Sequence, residues 1–493
     1  MWLIMNVKEL EELVLTLQKK LDIATAENSK LKAENAMLKE KLAKYESKRR
    51  NNSKNTSQPP SKDQKSEIIK MESVENAGKP VNQYNGRQPS DRPVGGQKGH
   101  KGKTLSKDEI KNLIEANMVS HDIVYHGHAQ NPDEYVVRYE LALEVATKVI
   151  EHRFASIYLI PERYNSDVVY DASVKGIASM LHAGHHVALD RVSSILSYLT
   201  KGIIAPVKGT LFNFMKEFAR KSQPEFAAVL GKSLDESVKY TDGTYITVNG
   251  NRAYIRNIST GTSVLYEFLL KKNLKSLSQS LVLPFCHCTL VHDHETALYN
   301  YGTEHGECNA HHLRYLRKAQ EDTGHKWPVL LINFLVGWNQ IKQKAMESGG
   351  MCLSDIDCAM MKEEFDTLLT LGETENELLR GVVGKYFARM DEAKLLRRLR
   401  KYERNVLLFL YDFNVDFTNN LSERDLRLVK SHLKVSGGFR SQEGASLFCR
   451  FQTVYQTMRR MGVDILENLN RIFSRSAEKT DGFSACLPCF SKL

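Results

Sequence analysis

The stretch Val238-Lys239-Tyr240-Thr241-Asp242-Gly243-Thr244-Tyr245-Ile246-Thr247-Val248, followed by Asn249-Gly250-Asn251 and Ala253-Tyr254-Ile255, decides the fold class. Aromatic and β-branched residues dominate it, as a pleated, half-buried surface requires. Asn249-Gly250 supplies the positive-φ positions of a tight hairpin turn. Ser259-Thr260-Gly261-Thr262 then turns the chain into Val264-Leu265-Tyr266-Glu267-Phe268, so an antiparallel meander of three strands is expected over Val238 to Leu269.

Working outward from the meander, a helix is expected near Leu274 to Leu281 and a short buried strand over Cys288-Thr289-Leu290-Val291-His292. Three meander strands, a helix and a further strand follow the element order of a ribonuclease H-like α/β fold. From Tyr315 to Leu410 the pattern is helical throughout, and Asn419 to Lys434 and Gly444 to Arg460 read as two more helices. Upstream, Leu189 to Leu199 is apolar on one face. A turn at Lys201-Gly202 and Ile203-Ile204-Ala205-Pro206 lead into a second helix through Phe218, a pair that fits a helix-turn-helix. Such pairs occur in any helical domain, so this one alone does not assign DNA binding.

The N-terminal end has a different character. Leu10, Leu17, Leu31 and Leu38 recur at sevens with Ala24 and Tyr45, while Val14, Leu21 and Leu42 form a companion seam interrupted by Asn28 and Asn35. That is the pattern of a self-pairing coiled coil, weighed against a helix packed on its own protein. A Ser-, Asn-, Lys- and Pro-rich linker follows, ending in Gly95-Gly96-Gln97-Lys98-Gly99-His100-Lys101-Gly102, which lacks phosphate-loop spacing. The expected organisation is a coiled coil over 1–47, a basic linker over 48–105 and a small mixed module over 106–164. In that module Tyr135 to Tyr139 and Lys148 to His152 alternate as strands do. A helical, helix-turn-helix-like region over 165–232 comes next, then a catalytic domain over 233–460 with a helical insertion at about 315–410, and a tail over 461–493.

The 493 residues carry a formal charge of +10, which favours a polyanionic partner. Between Lys48 and Lys103 stand 13 Lys or Arg against 5 Asp or Glu, a net +8, so the excess is concentrated in the linker. A solvated tether and a tether that also binds phosphates are both consistent with it. The 8 cysteines, spread over a chain this long, form no disulfide framework, and a reduced cytosol is expected. No run of about eighteen uncharged apolar residues marks a membrane span.

Three carboxylates stand out. Asp242 lies within a strand buried on at least one face, where an unpaired charge is expensive. Asp293 ends the short apolar strand, where side chains emerge at a sheet edge, and Glu423 lies near a helix start in Asn419-Asn420-Leu421-Ser422-Glu423-Arg424. Two strand-end carboxylates and a third from a helix suit hard divalent cations. Each also has a duller account. Asp242 could be a turn residue before Gly243, Asp293 could cap a helix from Glu295, and Glu423 could close a capping box with Asn420 and pair with Arg427.

Gly95 to His100, then Cys308 with His311 and Arg314, then Asn420 to Arg427 with Gly438, Phe439, Arg440, Gly444 and Ala445 resemble, in this order, the DDE transposases of insertion sequence family 66. The resemblance covers nearly the whole chain, and Asn419 to Arg427 is its most specific part. It implies that Asp242, Asp293 and Glu423 are an acidic triad holding two Mg²⁺ ions, with Mn²⁺ as the alternative, and that the helical stretch between Asp293 and Glu423 is an insertion. It further implies a transposase that binds the terminal inverted repeats of its element and target DNA, cutting and joining strands. Lys98, His100, Lys101, Arg314, Arg427 and Arg440 are then the expected DNA contacts. A homo-oligomer formed through the coiled coil, accessory transposition proteins, no membrane partner and a place in the bacterial cytoplasm at the nucleoid complete the expectation.

Two departures from the family pattern matter. Relatives often carry a Cys-rich zinc module where His121 to Tyr164 has no cysteine, so no zinc is expected there. Relatives also often have Asp-Glu-Thr where this chain has Asp242-Gly243-Thr244; the metal role falls on the aspartate. Other candidates are weaker. Cys486-x-x-Cys489 is half a zinc site, and Cys288 and His292 on one strand would stand roughly 13 Å apart, too far to share an ion. The rival functions are a catalytically silent zipper-type DNA-binding protein derived from a transposase, and a structure-selective nuclease on the same fold.

Overall fold

The computed structural model describes residues 105–126, 136–143, 145–161, 163–164, 166–383 and 391–475. The expected coiled coil, the linker up to residue 104 with Lys98, His100 and Lys101, and the tail from 476 lie outside the described residues. The described residues form a mixed α/β protein divided into two compact units. One spans 287–420, and the other joins the residues before 287 to those after 420. Among the described residues no helix is long and apolar enough to cross a membrane.

The second of these units opens with α1 (Lys107–Glu115), closed at its start by a reciprocal capping box between Ser106 and Glu109. The strands expected at 135–139 and 148–152 are not formed in the described residues there. Val136 is 78% and Val149 86% exposed, so their alternation buries no face and finds no ladder.

Helix α2 (Ala172–Ser179) starts on the Asp171 carboxylate, which accepts from the Ser173 and Val174 N–H groups. The expected helix pair is present as α3 (Leu189–Leu199) and α4 (Lys208–Lys221), with Lys201 and Gly202 at φ 53° and 86° in the turn. Val192 and Leu196 pack on Leu211 and Phe214. Helix α5 (Gln223–Asp235) leads into the meander.

The meander comprises β1 (Val238–Val248), β2 (Asn251–Ser259) and β3 (Val264–Leu269), antiparallel in sequence order. Asn249 and Gly250 adopt φ 47° and 77°, as the tight turn demands. Helix α6 (Leu274–Leu277) is shorter than expected. Beyond it, the Ser280 hydroxyl and the Leu281 N–H donate to the buried Glu267 carboxylate, at 2.7 and 2.6 Å, which takes these groups out of a helix.

The other unit holds β4 (Thr289–His292) and β5 (Glu304–Glu307), a parallel pair in which His292 faces Glu307. The sequence reading missed β5, because Glu-His-Gly-Glu carries no apolar alternation. Gly306 sits where a Cβ would stand 3.0 Å from Val415 and 3.2 Å from Val291. The helices are α7 (Asn309–Thr323), α8 (Trp327–Glu347), α9 (Asp355–Val383), α10 (Asp391–Lys401) and α11 (Glu403–Tyr411). Lys342 of α8 is buried, and its ammonium donates to the Val415 carbonyl at 2.6 Å beside the Phe409 and Phe413 rings. It thereby fixes the segment leading to Asn419.

The unit that holds the meander is completed by α12 (Asn420–Ser436), α13 (Gln442–Met461) and α14 (Ile465–Ser474). Leu426 and Val429 of α12 and Ala445, Phe448 and Cys449 of α13 bury the face of Ile246, Val248, Ile255, Val264 and Tyr266. Thr453 and Thr457 of α13 accept from the Tyr266 and Val264 N–H groups of β3, the outer strand. The segment expected as a tail from 461 is ordered as far as α14, which buries Leu469, Ile472 and Phe473.

Candidate active site

Asp242 stands in β1 opposite Asn257 of β2. Its carboxylate accepts from the Gly243 N–H at 2.6 Å, and its own N–H donates to Asn257 Oδ1 at 3.2 Å. Asn257 is fully buried, and its Nδ2 donates to the Ser259 hydroxyl at 2.9 Å and the Ser422 carbonyl at 3.0 Å. The Ser422 hydroxyl returns a bond to Asn257 Oδ1 at 2.7 Å. Glu423 is the next residue, in the first turn of α12 and partly buried. Asp425 adds a second anchor for this helix end, accepting from the Ser259 hydroxyl and from Arg460. Asp242 and the turn that carries Glu423 are therefore tied to one buried amide.

The Gly243 departure stands next to a buried arginine. A Cβ at this position would meet Arg256 Nη2 at 3.2 Å. Arg256 is buried, donates to the Thr241 hydroxyl at 3.1 Å, and faces the buried Glu267 across β2 and β3. Burial raises the Glu267 carboxyl above its ordinary value, and the Ser280 and Leu281 donors with Arg256 oppose that rise.

Asp293 directly follows β4 in the other unit. It does not hold the cap position of the next turn, which Glu295 occupies. The Asn419 amide donates to Asp293 Oδ1 at 3.3 Å, and the Asn419 N–H donates to Cys308 Sγ at 3.2 Å. His311 Nδ1 stands 3.4 Å from Asp293 Oδ1. Ligand atoms of Asp293, Cys308 and His311 all lie within 4.8 Å of one another.

Beneath this cluster lies a group that the sequence reading did not single out. The Glu307 side chain is fully buried and accepts from Arg398 at 2.6 and 3.2 Å and from the Tyr299 hydroxyl at 2.5 Å. His294 Nδ1 stands 2.7 Å and His312 Nε2 2.9 Å from the same carboxylate. Burial alone would raise its pKa, yet His294, His312 and Arg398 hold it well below the usual carboxylate range. Desolvation pushes the His312 pKa down, against the pull of the Glu307 carboxylate. His294 has φ 55°, an unusual conformation for a side-chain-bearing residue, and it directly follows Asp293.

The expected DNA contacts are scattered. Arg314 is half-buried on α7, and Arg427 is exposed one turn after Glu423 on α12. Arg440 is exposed beside Phe439, whose backbone bonds to Thr247 and Asn249 at the far end of β1. Six residues of extended strand, about 20 Å, separate that end from Asp242. Sequence reasoning missed Asn257, Ser422, Asn419 and Glu307 as organising residues. Asn419 and Ser422 lay within a quoted motif, and Asn257 was signalled only by an amide at a strand position that had to be buried.

No curated protein matches the chain. The family described as "Transposase IS66 family" matches residues 169–447, more than half of the sequence. That span takes in β1, β4 and the start of α12, the elements that carry Asp242, Asp293 and Glu423. The chain belongs to the IS66 family of transposases.

Proposed function

We propose that the protein cleaves DNA at the ends of its insertion sequence and joins the freed ends to target DNA, using Asp242, Asp293 and Glu423. The observation that carries this reading is the pair of asparagines around α12. Asn419, directly ahead of the helix, donates to Asp293. Within the helix's first turn, Ser422 is bound by Asn257, which also receives the Asp242 N–H. Three residues of chain thus separate the Asp293 anchor from the Asp242 anchor, and Glu423 follows the latter directly.

The oxygen donors of these partly exposed carboxylates fit hard divalent cations, and Mg²⁺ is the reading's cofactor. When bound, such ions supply positive charge at the scissile phosphate and activate an attacking water or 3′ hydroxyl. The chain's own residues do the positioning. Asn257 holds the Asp242 backbone and the α12 terminus, while Asn419 orients Asp293. A meander followed by a parallel pair supports a ribonuclease H-like core with α8 to α11 as its insertion. Arg314 and Arg427 are assigned to DNA phosphates, together with the basic linker and the α3–α4 pair. Oligomerisation through the N-terminal heptads belongs to the same reading.

The test is a cleavage and joining assay on labelled element-end DNA with Mg²⁺, comparing wild type with Glu423→Gln. Cutting and joining by wild type alone, with DNA binding kept by the variant, is expected. Full activity of the variant would remove Glu423 from the triad. Cutting without joining would favour the nuclease, and binding without cutting the silent DNA-binding protein.

A further inference from the structure

Two regular features of the fold bring a thiol, an imidazole and a carboxylate together. The first is the parallel register of β4 and β5. His292 faces Glu307, so the next residues, Asp293 and Cys308, leave the pair side by side. The Cys308 N–H continues the ladder by donating to the His292 carbonyl at 3.1 Å. Neighbouring strands lie about 4.8 Å apart, which sets the spacing of the two side chains. The second feature is the helix that begins at once. Cys308 is the residue ahead of α7, and His311 follows three positions later, one turn along the same face.

The donor set differs in kind from a triad of carboxylates. A thiolate and an imidazole are softer ligands, and with one carboxylate they match the coordination chemistry of zinc rather than magnesium. The N-terminal end of a 15-residue helix and the Asn419 N–H both direct positive charge at the sulfur. Asn419 bonds the sulfur and the Asp293 carboxylate at once, an outer contact of the kind that orients metal ligands. The Glu307 network braces the strand ends from below through His294 and His312, which adjoin Asp293 and His311 in sequence.

We propose that Asp293, Cys308 and His311 form part of a binding site for a thiophilic divalent cation of the zinc class. The site is distinct from Cys286-His287-Cys288, where the sequence concentrates metal-binding residue types, and it uses one ligand from a strand end and two from a helix start. It rests on the proposed function only through Asp293, which the two readings share. Ligand atoms as much as 4.8 Å apart must draw in to meet bonds of about 2.0 to 2.3 Å. The ligands would close on the ion by rotation of short side chains.

The experiment uses the full chain, purified with chelator and reductant, and titrates it with Co²⁺ while recording the absorption spectrum. A near-ultraviolet sulfur-to-cobalt charge-transfer band is expected, and Zn²⁺ should bleach it by displacement. Cys308→Ser should abolish the band, while Cys352→Ser, at an exposed cysteine, should keep it. His311→Asn should weaken Co²⁺ binding by at least the roughly 10–100-fold that loss of an outer contact costs. Should Cys308→Ser fail to fold, X-ray absorption of the zinc-loaded wild type must show a sulfur in the first coordination shell. No band, a band unchanged in Cys308→Ser, or a shell without sulfur would overturn the proposal.

Mg²⁺-dependent cleavage, measured in parallel with wild type and Asp242→Asn, separates the two readings. A cobalt band with no cleavage by wild type leaves the metal site standing and removes the proposed function. Cleavage that Asp242→Asn abolishes, without any band, does the reverse.

Discussion

Asn257 and Ser422 exchange two hydrogen bonds, amide to carbonyl at 3.0 Å and hydroxyl to amide oxygen at 2.7 Å. The residues come from β2 and the first turn of α12, and the same amide oxygen receives the Asp242 N–H. Asn257→Ala removes all of these at once. We expect cleavage activity to fall by about 100-fold, as small displacements of reacting groups do, with DNA binding kept. The loss of buried bonds should also cost about 2 kcal/mol of stability. Single-turnover cleavage and denaturant midpoints of the same variant check both effects.

Glu307 gives a prediction about charge. Glu307→Gln leaves Arg398 beside a neutral amide in a buried site, and we expect a loss of about 3–5 kcal/mol. The folded-state pKa lies below the ordinary 4.5, so the carboxylate stabilises the fold above that value and ceases to do so as pH falls below it. Urea midpoints between neutral and acid pH should drop steeply for wild type and less for the variant.

His432 acts in a neighbouring pH window. Burial and the nearby His186 and His182 push its pKa down to about 3, from an ordinary 6.5. Its ring stacks on Phe439 at 4.9 Å and lies 4.5 Å from Phe448. The folded protein binds fewer protons than the unfolded chain between these values. Stability should therefore fall as pH drops from 6.5 towards 3, at about 1.4 kcal/mol per unit from this group. His432→Phe should flatten that part of the profile.

Gly438→Ala tests a close approach of backbones. A Cβ there would lie 2.7 Å from the Thr247 carbonyl oxygen, where Phe439 joins the end of β1. The substitution should push Phe439 off the strand and cost about 1–3 kcal/mol. Amide exchange of Asn249 and Phe439, both bonded across this contact, should speed up while exchange near Asp242 stays slow.

The meander was legible because its signals are local. Aromatic alternation and Asn249-Gly250 specify strands and turn without reference to distant residues. Helices α3 and α4 were legible for the same reason. The strand β5 and Glu307 were not. A buried carboxylate looks like any surface glutamate until its partners are known, and Arg398 sits in a basic run, Lys394 to Lys401, that reads as solvated. In α10 the apolar Leu395, Leu396 and Leu399 bury one face, and Arg398 turns inward beside them. The three carboxylates were named from element type and motif. Asn257 and Asn419 emerged only once the register of β1 with β2, and the packing of the segment before α12, were known.

The outer edge of β3 has a consequence for how copies of this protein can associate. An edge strand is a template: its free N–H groups invite a strand from another molecule to add on. Such groups recur every second residue, about 6.7 Å along a strand, while a helix rises about 6 Å over four residues. Thr453 and Thr457, four apart, therefore keep nearly the same step as Val264 and Tyr266 and occupy their N–H groups. The sheet is terminated by hydroxyl groups at this margin. Strand addition at Val264 and Tyr266 is thereby blocked, because the N–H groups that an incoming strand would need there are already taken.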